Sequence, residues 1–589
     1  MADVLGRTVV HRHLYSRVWG LGDRKAPTAF TPALVLMHDD EEIDAAYAVF
    51  RADKTGEIPA ILSLTARAAF MPPHFEALGP NYRVSIGHVL PPSLEDANAG
   101  ETQGTSMLLP VSWQRMHHDD GLMDDSLSPE IIVLTDAVQL ANQQGKLAQA
   151  LISLKHRFPG ALIWTPGLGG PDNIAALAWM GVDLFDLARC HQAVASQMLL
   201  TQNGPRSPLD HEDCSISAQL KHMLQAIDET RAAIAAGTLA TLAVRSSLSS
   251  PRLVEHLRIH QRLMSNQEGV LSSHEDATKI FECYSPNTFD DPLVLDWVQF
   301  ITEKYSPPPQ VRKVMILLPC SARKPYRLSK SHGQFIEAIQ STGCHEVMMT
   351  SPLGLVPRDL EDIWPAANYD VPVTGNWSED EVNRVCWMLK KFINRGGYQR
   401  IINHTNLDLS FLEVEVVDTR DGEGATAHGS LQRLSKAVAE AKVELRLSNQ
   451  KNSIRLLEHY KSIARKTTGT DAWLDGAEIR GKLPRWRVEC DGVQIAQWSI
   501  ERNGFSFSRA AIPLLHQHHA LKEVELLPDS VWKGDIFLQN VAKVDPSIRK
   551  GDDIRVLQHG ECVGIARALA PGWEWKGTQG SLAKSHQRR

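Results

Sequence analysis

The sequence predicts a multidomain α/β protein, and three observations support this fold class. The length of 589 residues exceeds what one core holds and suggests about three to five domains. Two separate stretches alternate short apolar runs with helix-like segments. Residues 521–589 instead show short β runs between Gly and Asp turns. We therefore expect a parallel sheet or barrel, then an open α/β domain, then a small α+β domain and a β-rich domain.

The composition is that of an ordinary globular protein, with 43% apolar and 22% charged residues. A net charge of −7 argues against indiscriminate nucleic-acid binding but leaves room for a local basic surface. Eight cysteines without a CxxC pair favour a reducing, cytoplasmic location. No signal-peptide pattern appears, and no run approaches the roughly 18 to 20 apolar residues of a membrane span. We expect a soluble protein with no membrane partner.

The first series of apolar runs covers residues 30–280 and reads ALVLM, EIPAILSL, EIIVLT and ALIWTP. This rhythm predicts a parallel sheet or barrel. Residues 95–128 are rich in Asp, Gly, Ser and Thr, so we expect a surface insertion there. Its residues His117, His118, Asp119 and Asp120 can in principle bind a metal. A solvated loop is favoured, because no further ligands are spaced to complete a site, and no metal is predicted.

The segment GVDLFD, residues 181–186, predicts a strand that carries two acidic residues. Asp186 then stands at the carboxyl end of a barrel strand, where such folds place their active sites. The structural alternative is that Asp183 caps the following turn and that Asp186 has no role in chemistry.

This strand resembles the GVDMFD-type strand of the tRNA-guanine transglycosylases, whose nucleophilic aspartate matches Asp186. The stretch RAAIAAGTL also resembles the RxAIxxGxL segment that follows their zinc site. Two departures matter. No DSGGFQ-like segment occurs near residues 60–110, and only Cys214 and His222 remain where three cysteines and a histidine are expected. Base exchange needs two carboxylates. The resemblance therefore implies a degenerate (β/α) barrel over residues 1–283.

A second α/β series begins after the triple proline at 307–309, which cannot continue a helix. We predict strands at 314–318, 346–350 and 400–403, with helices at about 330–341 and 379–395. Ser378 is positioned to cap the second helix, and Gly396 and Gly397 to end it. Cys386 falls on the apolar stripe of that helix and is predicted to lie in the core.

Reactive residues cluster where the first strand of this series ends, in VMILLPCSARKPYRLSKSH at 314–332. An isolated cysteine beside a lysine is usually interpreted as a buried thiol followed by a solvated turn. In an open α/β sheet, however, ligands bind beyond the carboxyl ends of the strands. Three loops leave those ends, and we expect them to bring together Cys320, Lys324, Ser351, Arg358, Tyr369, Asp370 and His404.

These loops resemble the core domain of the archaeosine synthases in the patterns PCSxxKPYxxSxSHxxF, SPLGxVPRxLE and AAxYDxPVTG. The resemblance implies an α/β core domain over residues 284–450 and, as substrate, tRNA that carries 7-cyano-7-deazaguanine. The nitrile of that base would become an amidine with nitrogen from lysine or glutamine. A separate radical SAM enzyme is the partner in the lysine scheme. No cofactor is expected, and transglycosylase-like barrels suggest a homodimer by analogy.

We expect Cys320 to add to the nitrile, with Lys324 or Arg323 lowering the pKa of the thiol and Asp370 or His332 moving the proton. In the alternative, Cys320 only lines the pocket and the amine attacks directly. Cys320, Lys324 and Asp370 are the predicted catalytic residues. The predicted substrate-binding residues are Ser321, Arg323, Tyr326, Ser329, His332, Ser351, Arg358, Tyr369 and Asp186, the last of which would hold the ammonium group of the donor.

The C-terminal part is predicted to hold a small α+β domain over 451–520 and a β-rich domain over 521–589. The β-rich domain resembles the PUA domain, an RNA-binding module, in the strings KGD, VDPSIRKGD and VGIARA. It carries 11 Lys and Arg against 9 Asp and Glu, a net charge of +2. Its expected RNA-binding residues are Lys533, Arg549, Lys550 and Arg567. The basic end Lys584, His586, Arg588 and Arg589 either contacts phosphates or forms a frayed, solvated tail.

Two other functions belong to different classes. An active base-exchanging transglycosylase is disfavoured, because the DSGGFQ element and most zinc ligands are missing. A non-catalytic tRNA-binding partner is disfavoured by the dense PCSARKPY cluster, since an adaptor has no need of a thiol between a strand end and two cations.

Overall fold

The computed structural model describes residues 6–36, 40–51, 108–273, 279–372, 377–482, 485–577 and 580–589. The chain divides into a first unit, residues 1–270 with 573–582, and a second unit, residues 271–572 with 583–589. Both units combine helices with sheets, which confirms the multidomain α/β class. Across these described ranges, each helix is too short or too polar to span a membrane.

The first unit begins with an antiparallel sheet and continues as alternating strands and helices. Its strands are β1 Arg7–His13, β2 Ser16–Gly22, β3 Pro27–Phe30, β4 Ala33–Leu36, β5 Ala48–Arg51, β6 Leu108–Val111, β7 Ile131–Leu134, β8 Leu162–Trp164, β9 Leu184–Phe185, β10 Leu199–Thr201 and β11 Gly204–Arg206. Its helices are α1 Trp113–His118, α2 Ala137–Ala141, α3 Lys146–Arg157, α4 Ile174–Trp179, α5 Ala188–Ala195, α6 Ile216–Ala236, α7 Leu239–Ser247 and α8 Pro251–Ser265.

The main sheet of the first unit has the strand order β5-β4-β9-β8-β7-β6, with parallel neighbours throughout. Strands β4, β7 and β8 are continuous apolar runs whose residues are all buried, as expected when helices cover both faces of a sheet. The order is a cyclic permutation of chain order, the order that a barrel would have. Closure of the sheet into a barrel concerns residues 52–107, which lie outside the described residues. The run EIPAILSL and most of residues 60–110, the region of the missing DSGGFQ-like segment, also lie outside them.

The prediction of a surface insertion over residues 95–128 is wrong for the second half of that range. The run Leu108–Val111 forms strand β6 at one edge of the parallel sheet, and α1 follows directly. Leu109 and Val111 are buried, so their apolar character decides the outcome against the polar composition around them. Asp119 ends α1 and accepts a hydrogen bond from Arg115 Nε at 2.8 Å. The described residues contain no group of three or more His, Cys, Asp or Glu that would hold a metal.

The second unit holds the core α/β domain and the C-terminal elements. Its strands are β12 Phe281–Glu282, β13 Val314–Pro319, β14 His345–Thr350, β15 Gly354–Pro357, β16 Tyr369–Asp370, β17 Arg400–Asn403, β18 Glu415–Asp418, β19 Glu478–Lys482, β20 Arg485–Cys490, β21 Val493–Ser499, β22 Gly504–Phe507, β23 Lys522–Leu526, β24 Ile536–Phe537, β25 Val541–Val544, β26 Asp553–Gln558, β27 Glu561–Ala568 and β28 Ser581–Arg588. Its helices are α9 Pro292–Gln299, α10 Lys330–Ile339, α11 Glu379–Gly396, α12 His428–Glu444, α13 Asn452–Thr467 and α14 Ala511–Gln517.

The core sheet has the order β15-β14-β13-β17-β18, and β13 lies at its centre. Strands β14 and β17 flank β13 in parallel, while β15 returns antiparallel at the edge. The chain leaves β13 on one side and reaches β17 on the other, so the carboxyl end of β13 is a topological switch point. The predicted strands and helices of this domain are confirmed within two residues at each end.

Helix α11 shows why those boundaries were predictable. Ser378 accepts from the amide of Glu381, whose carboxylate accepts from the amide of Ser378. Gly397 ends the helix in the left-handed conformation with φ 70°. Cys386 is only partly buried, because it lies at the edge of the apolar face. Its predicted core position is therefore corrected.

The C-terminal elements form two further sheets. Strands β19 to β22 make an antiparallel sheet in chain order, preceded by α13. The last sheet has the order β24-β28-β27-β26-β23-β25. The interpretation of the basic C-terminal end as a frayed, solvated tail is wrong. Residues 583–588 pair with β27, and His586 is partly buried.

Candidate active site

The thiol of Cys320 lies directly after the central strand β13, partly buried at the switch point. Two effects oppose each other on its pKa. Burial raises the pKa of the thiol above its ordinary value, whereas the charge of Lys324 and a side-chain hydrogen bond with Thr350 lower it. Lys324, in the loop after β13, and Thr350, at the end of β14, therefore act on the same sulfur.

Lys324 is held as a desolvated ammonium group beside this thiol. Its Nζ is 4.1 Å from the ring centre of Tyr369. Among the described residues, the buried Nζ has no hydrogen-bond partner. Burial lowers the pKa of Lys324, while the nearby Cys320 and Asp370 raise it. An unpaired buried amine of this kind can exchange a proton with the thiol or with a ligand.

Three hydroxyl groups meet beside the thiol and the amine. The Tyr369 hydroxyl hydrogen-bonds both the Tyr326 hydroxyl and Thr350 Oγ1. Burial raises the pKa of Tyr326 and of Tyr369, so both phenols stay protonated. The cluster therefore offers neutral O–H donors and no additional negative charge next to Cys320.

Asp370 and Cys283 complete this group of side chains. Strand β16 pairs in parallel with β12, and the amide of Cys283 donates to the carbonyl of Asp370 at 2.9 Å. Asp370 is exposed, and Lys324 interacts electrostatically with both residues. Burial raises the pKa of the Cys283 thiol, so Cys283 remains a neutral wall of the site. Sequence reasoning missed Cys283 and Thr350, because a two-residue strand and a strand-final threonine carry no periodic signal.

His332 is a positioning group, because both of its ring nitrogens are engaged. Nε2 donates to the carbonyl of Pro319 at 3.1 Å, and Nδ1 accepts from Arg358 at 3.0 Å. Burial, followed by the charge of Arg358, lowers the pKa of His332 to about 3. Of the two groups expected to move a proton, Asp370 is exposed beside Lys324, whereas His332 is neutral and tied to the end of β13.

Arg358 and His404 belong to the support of the site. Arg358 bonds Glu346 at 2.7 Å and Glu361 at 3.1 Å, as well as His332. His404 is fully buried, and its ring nitrogens bond Thr419 Oγ1 at 2.7 Å and the carbonyl of Ala425 at 2.8 Å. The polar side-chain atoms of both residues are thus bonded to protein groups other than the thiol.

The serines and the arginine in the loops around the thiol differ in burial and in hydrogen bonding. Ser329 caps α10 by accepting from the amide of His332 at 3.2 Å. Ser321 donates to the carbonyl of Arg323 at 3.1 Å, and the side chain of Arg323 is exposed. Ser351 is partly buried after β14. The side chain of Arg323 is thus open to solvent, whereas Ser329 caps the backbone of α10.

In the first unit, Asp186 follows β9 and is fully buried. Its carboxylate accepts from Trp164 Nε1 at 3.1 Å, Gly167 N at 2.9 Å and Ala188 N at 3.0 Å. Burial raises the pKa of Asp186, and these hydrogen bonds lower it. Asp183 does not cap a turn. It forms a buried ion pair with Lys155 at 2.6 Å, and the amide of Ile163 also donates to it.

The expected RNA-binding residues lie in different settings. Arg549 pairs with Asp296 at 2.7 Å, and Arg567 pairs with Asp553 at 2.8 Å. Lys533 is exposed, and its carbonyl accepts from Arg588 at 2.5 Å. The carbonyl of Lys550 accepts from the amide of Ser273 at 3.1 Å.

Several known proteins are similar to this chain in sequence. A model described as a domain of unknown function, DUF5591, matches residues 294–438. The archaeosine synthase subunit alpha of Thermoplasma acidophilum is 26% identical and covers 75% of this chain and 84% of its own. The archaeosine synthase of Haloferax volcanii is 29% identical, with 76% and 80% covered.

Among solved structures, AF0587, a protein of unknown function, aligns with 50% of this chain and 98% of its own at 22% identity and a TM-score of 0.39. The relatives confirm the resemblance that the PCSARKPY and SPLGLVPR loops predict. The chain is similar to proteins named archaeosine synthase over about three quarters of its length.

Proposed function

We propose that this protein is a tRNA-modifying enzyme that adds an amino-acid nitrogen to the nitrile of 7-cyano-7-deazaguanine in tRNA and so forms an amidine. The observation that carries the proposal is the pairing of the Cys320 thiol with the unpartnered amine of Lys324 at the switch point of the core sheet. The relatives named archaeosine synthase support the choice of substrate.

The first step forms a carbon–sulfur bond. A nitrile carbon is electrophilic, so the Cys320 thiolate adds to it and the nitrile nitrogen takes up a proton, which gives a thioimidate. The thiol proton passes to the exposed Asp370 and from there to that nitrogen, while the positive charge of Lys324 stabilises the thiolate. In this proposal the hydrogen-bonded O–H groups of Tyr326 and Tyr369 help to stabilise the developing charge.

The second step exchanges sulfur for nitrogen. The amine of the donor adds to the thioimidate carbon, the carbon–sulfur bond breaks, and the amine proton returns to the thiolate. The sum is addition of an N–H bond across the nitrile, so no cofactor or oxidant enters the balance. In the alternative, the amine attacks the nitrile directly and Cys320 lines the pocket.

Lysine and glutamine are both candidate donors. Direct addition of an amine suits lysine as the donor. A radical SAM enzyme would then release the final base from the lysine adduct. That the Thermoplasma relative is named a subunit supports such a partner chain.

The proposed domains provide the parts that such an enzyme needs. We propose a degenerate transglycosylase-like barrel over residues 1–283, a core domain over 284–450, an α+β domain over 451–520 and a PUA-like RNA-binding domain over 521–589. The cyclic strand order of the first unit supports the barrel. Ser321, Arg323 and Ser351 are the proposed contacts to the modified nucleotide, and a homodimer is proposed by analogy with the transglycosylases.

The proposed function is tested by nucleoside analysis of tRNA. The purified protein is incubated with tRNA carrying the cyano base and with lysine or glutamine, and the digested nucleosides are measured by mass spectrometry. We expect an adduct with one donor only. Incorporation of labelled guanine instead would identify base exchange, and tRNA binding without any adduct would identify an adaptor.

Asp186→Asn separates the two roles left open for the barrel carboxylate. An asparagine keeps one acceptor and leaves at least one buried N–H without a partner, so we expect the free energy of unfolding to fall by about 1 to 3 kcal/mol. Thermal unfolding measures this loss, with the exposed Asp210→Asn as control. If Asp186 instead holds the ammonium group of the donor, the KM for the donor rises while tRNA binding and unfolding stay unchanged.

A further inference from the structure

A polar cleft of about 650 Å³ lies in the second unit, away from the Cys320 loop. Its walls are α9 and the turn after it, the C-terminal end of α13, the turn between β21 and β22, and loops of the β-rich C-terminal sheet. This volume falls within the range typical of ligand sites. The cleft is therefore formed by all three regions that the sequence separates after residue 284.

Cations outnumber carboxylates in the lining of this cleft. Seven Lys and Arg side chains stand against four Asp, a net charge of +3 with His neutral. The cations are Lys304, Arg465, Lys466, Arg502, Lys522, Arg549 and Arg567, and the carboxylates are Asp296, Asp545, Asp552 and Asp553. A concave surface with an excess of one charge attracts ligands of the opposite charge.

The four carboxylates are already engaged, and Arg465 pairs with Asp471 outside the lining at 2.5 Å, so among the described residues Lys304 and Arg502 are the cations of the lining without a salt bridge. Asp296 binds both Lys466 at 2.8 Å and Arg549 at 2.7 Å. Arg567 pairs with Asp553, and Lys522 pairs with Asp552 at 2.8 Å. Asp545 accepts from the amide and the hydroxyl of Ser547. An incoming anion therefore meets a positively charged wall.

The turn between β21 and β22 adds two donors that lack acceptors. Asn503 is 7% exposed and stands in the left-handed region with φ 47°. Within the described part of the chain, neither Asn503 Nδ2 nor Arg502 Nη2 finds an acceptor, although Arg502 Nη1 donates to Ser506 Oγ at 2.5 Å. Buried N–H donors are normally satisfied, so these two indicate a ligand that accepts hydrogen bonds.

We propose that this cleft binds phosphate groups of the tRNA backbone, with Arg502 and Asn503 as direct donors to the phosphate oxygens. Phosphate is the anion that combines a full charge with several acceptor oxygens, and an arginine fork matches it. The cations come from four separate parts of the chain, an arrangement that suits a polynucleotide better than a single small anion. The proposal rests on the proposed function, because that function supplies tRNA as the ligand.

The test measures tRNA affinity by fluorescence anisotropy at several salt concentrations. Arg502→Gln removes one charge and one fork of donors, and Asn503→Asp places a negative charge at a position that tolerates the left-handed backbone. We expect each variant to weaken binding about tenfold, and Arg502→Gln to reduce the salt slope by about one. Arg502→Lys restores the salt slope. Arg509→Gln, an exposed arginine outside the cleft, leaves binding unchanged.

Unchanged affinity and salt slope in both variants, with unfolding temperatures equal to that of the parent, would overturn the proposal. Competition by inorganic pyrophosphate distinguishes the source of the phosphate. Pyrophosphate that binds the cleft without being displaced by tRNA would indicate a small phosphorylated ligand and would also overturn it. The binding assay needs no turnover, so a parent protein that binds tRNA through this cleft but forms no amidine would refute the proposed function alone.

Discussion

Replacing Cys320 with serine is expected to lower the rate of amidine formation at least about a thousandfold. A serine hydroxyl ionises far less readily than a thiol, so the covalent thioimidate route is lost while the shape of the site is kept. The measurement is a single-turnover reaction on tRNA carrying the cyano base, followed by nucleoside mass spectrometry. Intact-mass analysis of the parent protein should also show the thioimidate adduct when the donor is withheld.

Two further thiols serve as matched controls for this variant. Cys386→Ser changes a partly buried thiol on α11 and should retain the parental rate. Cys283→Ser changes the second thiol near Lys324 and should not remove the adduct, because burial raises the pKa of the Cys283 thiol and keeps it neutral. Product formed at the parental single-turnover rate by Cys320→Ser would refute the covalent route and leave direct attack by the amine.

Replacing Lys324 with methionine is expected to move the rising limb of the pH–rate profile to higher pH by about one unit. The positive charge of Lys324 lowers the pKa of the Cys320 thiol against the effect of burial. Without that charge the thiol pKa rises, less thiolate is present near pH 7, and the rate there falls about tenfold. A thiol is reactive above its pKa, so the loss is largest at low pH and diminishes as the pH rises.

Lys324→Arg keeps the charge and should retain most of the original pH profile. Lys330→Met, at an exposed position where α10 begins, removes a charge from the same segment and should leave the pH–rate profile unchanged. An unaltered profile in Lys324→Met would show that this amine does not act on the thiol. A rate that is low at every pH would instead assign Lys324 to proton transfer, because loss of a proton carrier is not restored by raising the pH.

The core α/β domain was largely predictable, because local signals and the global fold agree there. The run Val314–Leu318 is apolar without interruption, as a strand buried on both faces must be. Ser378 and Gly397 mark the ends of α11, because serine at the N-cap and glycine after the last turn have the same capping role in helices generally. In contrast, the polar composition around residues 108–118 hid a strand of only four residues.

Only part of the candidate site was predictable from the sequence. The sequence was sufficient to predict that Cys320 and Lys324 stand together, because four residues and a strand end bring them together whatever the rest of the chain does. It did not separate groups that face a ligand from groups that support the loop. His332, Arg358 and His404 have the same chemistry as catalytic residues, yet each has its polar atoms bonded to protein partners.

The α/β class, the ends of the core strands and helices, and the thiol among cations were all predictable from the sequence, since these features depend on neighbours along the chain. Which polar groups lack protein partners depends instead on the tertiary structure. Thr350 and Cys283 reach Cys320 and Lys324 through strand pairings between distant segments. Arg502 and Asn503 face a cleft whose walls are far apart in sequence. Hydrogen-bond satisfaction depends on such long-range contacts, which no local pattern encodes.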